Sequence, residues 1–297
     1  MRTVGVLVVT YNQYRVTKSF LENFVLLFEK EFIRLLILDN NSKDDTYEKL
    51  CTQFPGVDIR KLNDNYGCVT GRNIGIVELL ALGCDYVLIL DNDMRIEDPD
   101  FFGKMLHFME NNPQVDGCCP IMRWGASRTI QTLGRRFNRI GFPRNIAALS
   151  TNKRIDILPG GAQFVKSSAF KKFGLYDNDL SPLSIEDYEW SIRAKRKGAE
   201  FRFNPEVEVF HYRSRASTPR EYVAHGITGR LVFLRKYFNF VNFVRAIVYI
   251  IKTTLDYGTR FTARHSIVGI SRSIHKGNFD YDEFSCQDLR IYYVQSR

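Results

Sequence analysis

Apolar runs of four to six residues alternate with stretches of helical periodicity, and three of the runs stop at Thr or Asp. Val4-Gly5-Val6-Leu7-Val8-Val9 is uninterrupted, the pattern of a strand buried on both faces, and it gives way to Thr10-Tyr11-Asn12. Val16, Phe20, Phe24, Leu27 and Phe28 recur at helical spacing and predict a helix over 16–29. Leu35 to Leu38 forms a second strand, closed by Asp39-Asn40-Asn41-Ser42. Ser42 and Asp45 stand three apart, close to a capping box, and predict a short helix beyond them. A weaker strand lies near 57–61. Gly67 to Leu82 reads as a helix whose Gly71 and Gly75 suit close packing better than a phosphate cradle. Tyr86 to Leu90 is the next buried run, and it delivers Asp91-Asn92-Asp93.

Strands alternating with helices imply an α/β fold with a mostly parallel sheet and right-handed crossovers. Thr10, Asp39 and Asp91 then emerge at one sheet edge, where open α/β sheets bind ligands. Asp91 and Asp93 suit a hard cation such as Mg²⁺ or Mn²⁺, and such ions accompany phosphate substrates. Asp-x-Asp is also ordinary turn chemistry; its coincidence with two further polar strand ends favours a ligand site. There is no G-x-x-x-x-G-K-[ST] loop, and no G-x-G-x-x-G follows the first strand.

Beyond residue 100 the pattern loosens. Segment 123–154 is rich in Arg and Gly with weak periodicity, and reads as an irregular stretch or a mobile lid. Ile155 to Leu158 leads into Pro159-Gly160-Gly161, where the backbone can approach a ligand closely, and Gln163-Phe164-Val165 follows. Ser184-Ile185-Glu186-Asp187 opens another helix, which Gly198 ends. Ser184 and Asp187 fit a capping box, so the acids have a helix-start explanation beside a catalytic one. Val207 to Phe210 is a further strand ending at His211, of interest because the site needs more donors.

Val8-Val9-Thr10-Tyr11-Asn12, Leu38-Asp39-Asn40-Asn41-Ser42, Asp91-Asn92-Asp93 and Glu186-Asp187, in that order, resemble family 2 glycosyltransferases of the GT-A fold. Asn65-Tyr66-Gly67 with Gly71-Arg72-Asn73-Ile74-Gly75, Phe173-Gly174-Leu175-Tyr176-Asp177, and His211 also fit, and the rhamnosyltransferase-like group is the nearest in kind. The likeness covers residues 3–215. It implies a Rossmann-like sheet flanked by helices and an inverting transfer from a nucleoside-diphosphate sugar, UDP or dTDP, to a saccharide or lipid-linked saccharide. Thr10, Tyr11, Asn12, Asp39, Arg72, Asp91 and Asn92 would serve the nucleotide side. Asp93 would bind Mn²⁺ or Mg²⁺, with His211 as a further ligand. Asp187 would be the general base, ionised at neutral pH under a nearby cation, and Glu186 its neighbour on the acceptor side. Lys43-Asp44-Asp45 departs from the family, where a small residue and Gly are common.

Charge adds a second region. Of the net +9, residues 211–297 carry +8, from 14 Lys/Arg against 6 Asp/Glu. The expected division is a catalytic domain over 1–217 and a basic amphipathic helical appendage over 218–297. Over 219–258, apolar residues from Val223 to Ile251 recur at helical spacing among Arg230, Arg235, Lys236, Arg245 and Lys252. Such a face lies on an anionic membrane, or packs on the catalytic domain or a second copy of the chain; both stay open. The apolar stretch 246–251 is too short to span a bilayer. The 6 irregularly spaced cysteines and a strand-like start without a signal peptide fit a reducing cytosol, at the inner face of the membrane if the tail binds lipid. Nucleic acid is not an expected partner, since no binding module is recognisable and the acid pairs would repel phosphate. A nucleotidyltransferase would want a Gly-rich basic loop where Thr10-Tyr11-Asn12-Gln13 stands.

Overall fold

The computed structural model describes residues 2–28, 31–137, 143–146, 154–180 and 185–212, together with Lys236, Val241, Val244 and Val248. The first half alternates as the hydrophobic runs predict: β1 (Val4–Thr10), α1 (Tyr14–Phe28), β2 (Ile33–Asp39), α2 (Thr46–Gln53), β3 (Asp58–Lys61), α3 (Gly67–Ala81) and β4 (Tyr86–Asp91). Then follow β5 (Met94–Arg95), α4 (Phe101–Glu110), β6 (Gly117–Trp124), β7 (Ile130–Thr132), β8 (Arg135–Phe137), β9 (Pro143–Asn145) and β10 (Arg154–Ile155). The named elements end with β11 (Ala162–Lys166), α5 (Ser167–Phe173), a 3₁₀ turn at Asn178–Leu180, α6 (Glu186–Arg196) and β12 (Phe201–His211).

The main sheet runs β10-β12-β6-β11-β4-β1-β2-β3, with β5 added to β12 and β7 to β6. β3, β2, β1 and β4 are parallel, as are β6 and β12, whereas β11 runs antiparallel between β4 and β6. Register does the positioning. Thr10 lies opposite Asp39, and Val9 opposite Asp91, so three strands end together at one edge.

Both faces of the sheet are covered, which is why the parallel strands read as unbroken apolar runs. On one face Leu7, Leu36 and Leu38 pack with Val69 and Ile76 of α3 and with Trp190 of α6. On the other, Val4, Val6 and Val8 meet Phe20 and Phe24 of α1 and Phe101 and Phe102 of α4. α3 sits close because it lacks side chains where it crosses β1. A Cβ on Gly75 would fall 2.2 Å from Leu7 Cδ1, and one on Gly71 3.2 Å from Val9 Cγ1.

Several expectations are corrected. Segment 123–154 is not structureless, because it holds the end of β6 and strands β7 to β10. α4 and β6 fill the loosely patterned stretch after residue 100. β12 begins at Phe201, well before the expected Val207; Pro205 falls where its register with β6 shifts, between Asn204 and Glu208. The capping box expected at Ser42 and Asp45 does not form. Ser42 Oγ donates back to Asp39 Oδ2 at 2.5 Å, and Asp45 caps α2 without a side-chain bond. Ile185 caps α6, and Asp187 is the second residue of the helix; Ser184 lies outside the described residues.

The appendage expected over 218–297 also lies outside them, apart from four helical positions. One of these, Lys236, reaches Asp177 Oδ2 at 3.2 Å and Glu189 Oε1 at 3.1 Å. Among the described residues no helix is long and apolar enough to cross a membrane.

Gly75→Val drives a branched side chain into Leu7, and we expect it to cost about 1–3 kcal/mol in urea unfolding. Gly56→Ala, where nothing lies within 4 Å of an added Cβ, is the control and should unfold like the parent. A fully native midpoint for Gly75→Val would show that α3 can lift off β1 freely.

Candidate active site

The loops after β1 and β2 are tied to each other before they meet any ligand. Asp39 is fully buried, and Ser42 N–H (2.7 Å) and Oγ–H (2.5 Å) donate to its two oxygens. Burial pushes its carboxyl above the usual range against those bonds. Asn12 takes a left-handed φ of 52°. In that conformation its N–H donates to Ser42 Oγ and its Oδ1 accepts from Lys43 N–H, both at 2.8 Å. Asn40 extends the link to the loop before α3: its amide donates to Asn65 Oδ1 at 2.9 Å, and its Oδ1 accepts from Tyr66 N–H at 3.1 Å. Tyr11 is half-buried and Asn12 exposed on this joined wall.

Within Asp91-Asn92-Asp93 the middle residue turns inward. The Asn92 amide lies 2.7 Å from Gln13 Oε1, 3.0 Å from Thr17 Oγ1 and 3.3 Å from Thr10 Oγ1. Thr10 and Thr17 share a further hydrogen bond of 2.7 Å. Thr10 and Asn92 therefore brace β4 against α1, and the acids on either side of Asn92 are splayed apart.

Asp91 joins a second acid pair through Arg72. That guanidinium comes from the buried face of α3; its Nη2 donates to Asp91 Oδ1 at 2.7 Å, and its Nη1 to Glu186 Oε1. The second Glu186 oxygen, Oε2, is buried with no hydrogen-bond partner among the described residues. Asp187 accepts from Gly160 N–H at 2.9 Å on Oδ2 and from Tyr188 N–H at 2.9 Å on Oδ1. Arg135 Nη1 stands 3.5 Å from Oδ2. The Gly160-Gly161 pair is what lets backbone in: added Cβ atoms would fall 3.3 Å from Asp187 Oδ2 and 3.0 Å from Asp91 Oδ2 respectively.

Burial, then the neighbouring Glu186, push the Asp187 carboxyl from 3.8 up to about 6, while Arg135, the Gly160 N–H and Arg72 hold it down. A carboxyl titrating at about 6 favours the anion only about tenfold at pH 7, where the sequence predicts a nearby cation that favours the charged form. Burial outweighs the cations.

Asp93 and His211 meet because β5 pairs with the end of β12, placing Met94 opposite His211. His211 Nε2 is 3.4 Å from Asp93 Oδ2. Its Nδ1 is 3.0 Å from Gln131 Oε1, and Trp124 stacks on the ring at 5.6 Å between centroids. Among the described residues no group of three or more His, Cys, Asp or Glu side chains gathers as a metal centre. A carboxylate with one imidazole fits a cation whose remaining positions are filled by phosphate and water oxygens.

The structure thus brings Asp91, Glu186 and Asp187 together around Arg72, and sets Asp93 with His211 beside them. Arg135 and Gln131 were not singled out from the sequence. A signal did exist: no acid stands between Asp116 and Asp156, while 8 Lys/Arg do. A buried acid packed against that segment has a ready cation.

A sheet with acids at the ends of parallel strands, covered on both faces by helices, is the GT-A architecture. GalNAc-T7, solved with UDP, GalNAc and Mn²⁺, superposes with a TM-score of 0.62 at 16% identity, over 79% of this chain and 50% of that one. TarS 1-349 of S. aureus gives 0.56 at 16% identity, over 78% and 64%. These likenesses are of fold. The sequence itself matches Glycosyl transferase family 2 over residues 5–174, and the protein belongs to that family. The dTDP-rhamnosyl transferase RfbF of Shigella flexneri is 23% identical over 178 residues, 60% of this chain and 59% of that protein. The chain therefore spans between half and two thirds of the length of these relatives.

Arg72→Met strands two carboxylates, and we expect a loss of about 3–5 kcal/mol at neutral pH. Without the cation both carboxyls bind protons more tightly in the folded state than in the unfolded one. The deficit must therefore shrink as pH falls through the carboxylate range. A pH-independent loss in urea titrations would assign the effect to packing instead.

Proposed function

We propose that the protein is an inverting glycosyltransferase that moves a sugar from a nucleoside diphosphate, of UDP or dTDP type, to a hydroxyl of a saccharide or lipid-linked saccharide acceptor. The observation that carries this is the junction of two acid pairs, Asp91/Asp93 and Glu186/Asp187, through one buried arginine at the ligand edge of the sheet. Family membership supports the reaction class, and the similarity to a dTDP-rhamnosyl transferase supports the donor type. The acceptor belongs to cell-surface polysaccharide synthesis on the cytoplasmic side, and the basic tail holds the enzyme at an anionic membrane.

The joined loops carrying Tyr11 and Asn12 form the nucleoside wall, with Thr10, Asp39 and Asn92 giving it shape and Arg72 fixing Asp91 beside the ribose and sugar. Asp93 and His211 would hold Mn²⁺ or Mg²⁺ if the enzyme uses one; the Mn²⁺ in the GalNAc-T7 structure supports this. When bound, such an ion stabilises the charge that builds on the leaving oxygen. Asp187 takes the proton of the acceptor hydroxyl as its oxygen bonds to the anomeric carbon. The bond to the diphosphate oxygen breaks, its electron pair leaves with the nucleotide, and a single displacement inverts the configuration. A base of pKa about 6 is ionised at working pH yet basic enough to accept that proton. Glu186, held by Arg72, presents its open oxygen on the acceptor side.

Calorimetric titration with UDP, dTDP and GDP, each with Mn²⁺ and with EDTA, tests the donor side. We expect one nucleotide to bind in a metal-dependent manner, and Asp93→Ala to lose that dependence. Asp187→Asn should bind the same nucleotide yet turn over about 10²–10⁴-fold more slowly. Unimpaired transfer by Asp187→Asn would remove it from the base role.

The base also carries a stability cost with a definite sign. Because the folded pKa of about 6 exceeds the usual 3.8, the folded state binds this proton more tightly. Stability from this group is highest below pH 4, falls as pH rises through 6, and is level above. Asp187→Asn should therefore melt higher than the parent at pH 7.5, with the gain fading in acid. A lower melting temperature at pH 7.5 would contradict that sign.

A further inference from the structure

Asp187 has a cation of its own, and it comes from the segment that carries no family motif. Arg72, the other nearby guanidinium, is already committed through Nη1 to Glu186 and through Nη2 to Asp91. Arg135 opens β8, and the ion pair it makes among the described residues is with Asp187 Oδ2, at 3.5 Å. Its side chain is anchored at two further points. Nε donates to Asn145 Oδ1 across the β8–β9 ladder at 2.8 Å, and the guanidinium carbon lies 4.9 Å from the centre of the Tyr188 ring. The backbone is pinned as well: Arg135 N–H donates to the Ile157 carbonyl, and its own carbonyl accepts from Asp156 and Ile157. A guanidinium so held loses little freedom in keeping its pair.

We infer that Arg135 is a positioning residue for the proposed transfer: with the Gly160 N–H it fixes Asp187 Oδ2 while the Tyr188 N–H holds Oδ1, so the carboxylate keeps one orientation toward the acceptor hydroxyl and has a cation at its side. This rests on the reading of Asp187 as base. Around that carboxylate stand Glu186 on its own helix, Arg72 and Cys68 on α3, Tyr176 on the loop before α6, and Arg135. Glu186 and burial favour the protonated form; Arg135 is the first of the groups opposing them. Removing it hands the balance to burial, and a tenfold weaker acid would be about half protonated at pH 7. The beginning of β8 thereby links the small β8–β9 sheet to the proposed chemistry.

The test follows the Asp187 carboxyl carbon by NMR across pH, with its signal assigned by its absence in Asp187→Asn. In Arg135→Gln we expect the titration midpoint to rise, leaving the carboxyl about tenfold harder to ionise. Arg135→Lys should retain most of the parent behaviour, and Asn145→Ala, which loosens the guanidinium without removing its charge, should move the midpoint less, in the same direction. Hydrolysis of dTDP-rhamnose and of UDP-glucose, with water in place of the acceptor, gives a second readout. The acidic limb of its rate profile should shift upward with the midpoint while nucleotide affinity stays constant. An unchanged midpoint in an Arg135→Gln protein that still melts cooperatively would overturn the inference. Should that variant not fold, Arg135→Lys and Asn145→Ala decide, and parental profiles in both would overturn it. A normal hydrolysis rate in Asp187→Asn would instead overturn the base itself, and the inference with it.

Discussion

A guanidinium buried under two carboxylates holds the two halves of this site in one place. Arg72 is 6% exposed at its side chain, and taking such a cation out of water is costly unless its donors are matched by charge and geometry. Asp91 and Glu186 supply that match from opposite directions, one at the end of a strand and one at the start of a helix. Neither could lie so close to the other without the cation between them. The strand that ends in Asp91 and the helix that begins with Glu186 are thus fixed relative to each other by ion pairs to one arginine, whereas the strand is held in the sheet by its ladders to β1 and β11 and the helix by apolar packing of Trp190. α3 is the element that can deliver the arginine, because Gly71 and Gly75 let it lie against β1 with Arg72 turned along the sheet edge.

The acids around Arg72 are not equivalent, and the difference is one of access and partners. Asp91 is 39% exposed at its side chain, against 8% for Glu186 and 8% for Asp187. Burial lifts the Asp91 carboxyl as well, against the pull of Arg72, but its more open side chain and direct arginine pairing suit a role in binding. A buried one whose cation stands at 3.5 Å is poised between charge states, the condition a proton acceptor needs. The packing that raises Asp187 is the packing that costs folding energy, so the site is less stable than it would be with a neutral amide there. Tension of this kind is expected where activity depends on a group the fold would rather not hold.

Much of this was legible in the chain. Val4 to Val9, Leu35 to Leu38 and Tyr86 to Leu90 are continuous apolar runs because helices cover both faces of a parallel sheet, and their polar ends had to fall at one edge. β6 and β12 were harder: Pro120 and Pro205 interrupt them, and each is tolerated at an irregular point of their shared ladder. Phe101, Phe102, Met105, Phe108 and Met109 do carry helical spacing, yet with Gly103 inside it α4 falls in what reads as loosely patterned chain. Strands β7 to β10 were not legible, since runs of two or three residues have no period of their own. They exist through partners remote in sequence, as when Arg154 pairs with Arg202. Side-chain direction was the other hidden quantity. Asn92 looked as available as its neighbours until its amide was seen turned toward Gln13 and Thr17.

That inward turn has a consequence for how the acid pair works. A residue between two strand-end carboxylates can point outward and compete for the ligand, or inward and hold the turn open. Asn92 does the second: hydrogen bonding to the buried Thr10 and Thr17 satisfies an amide that would otherwise be costly to bury. The bend it enforces sends Asp91 toward Arg72 and Asp93 toward His211, so that two carboxylates two residues apart serve different neighbours. Had the strand simply continued, alternation would have placed both acids on one face of the sheet, competing for a single partner. The turn converts a repeated residue type into two distinct positions, one paired with Arg72 and one beside His211. The spacing of the motif is therefore as much a property of the middle residue's hydrogen bonds as of the acids themselves.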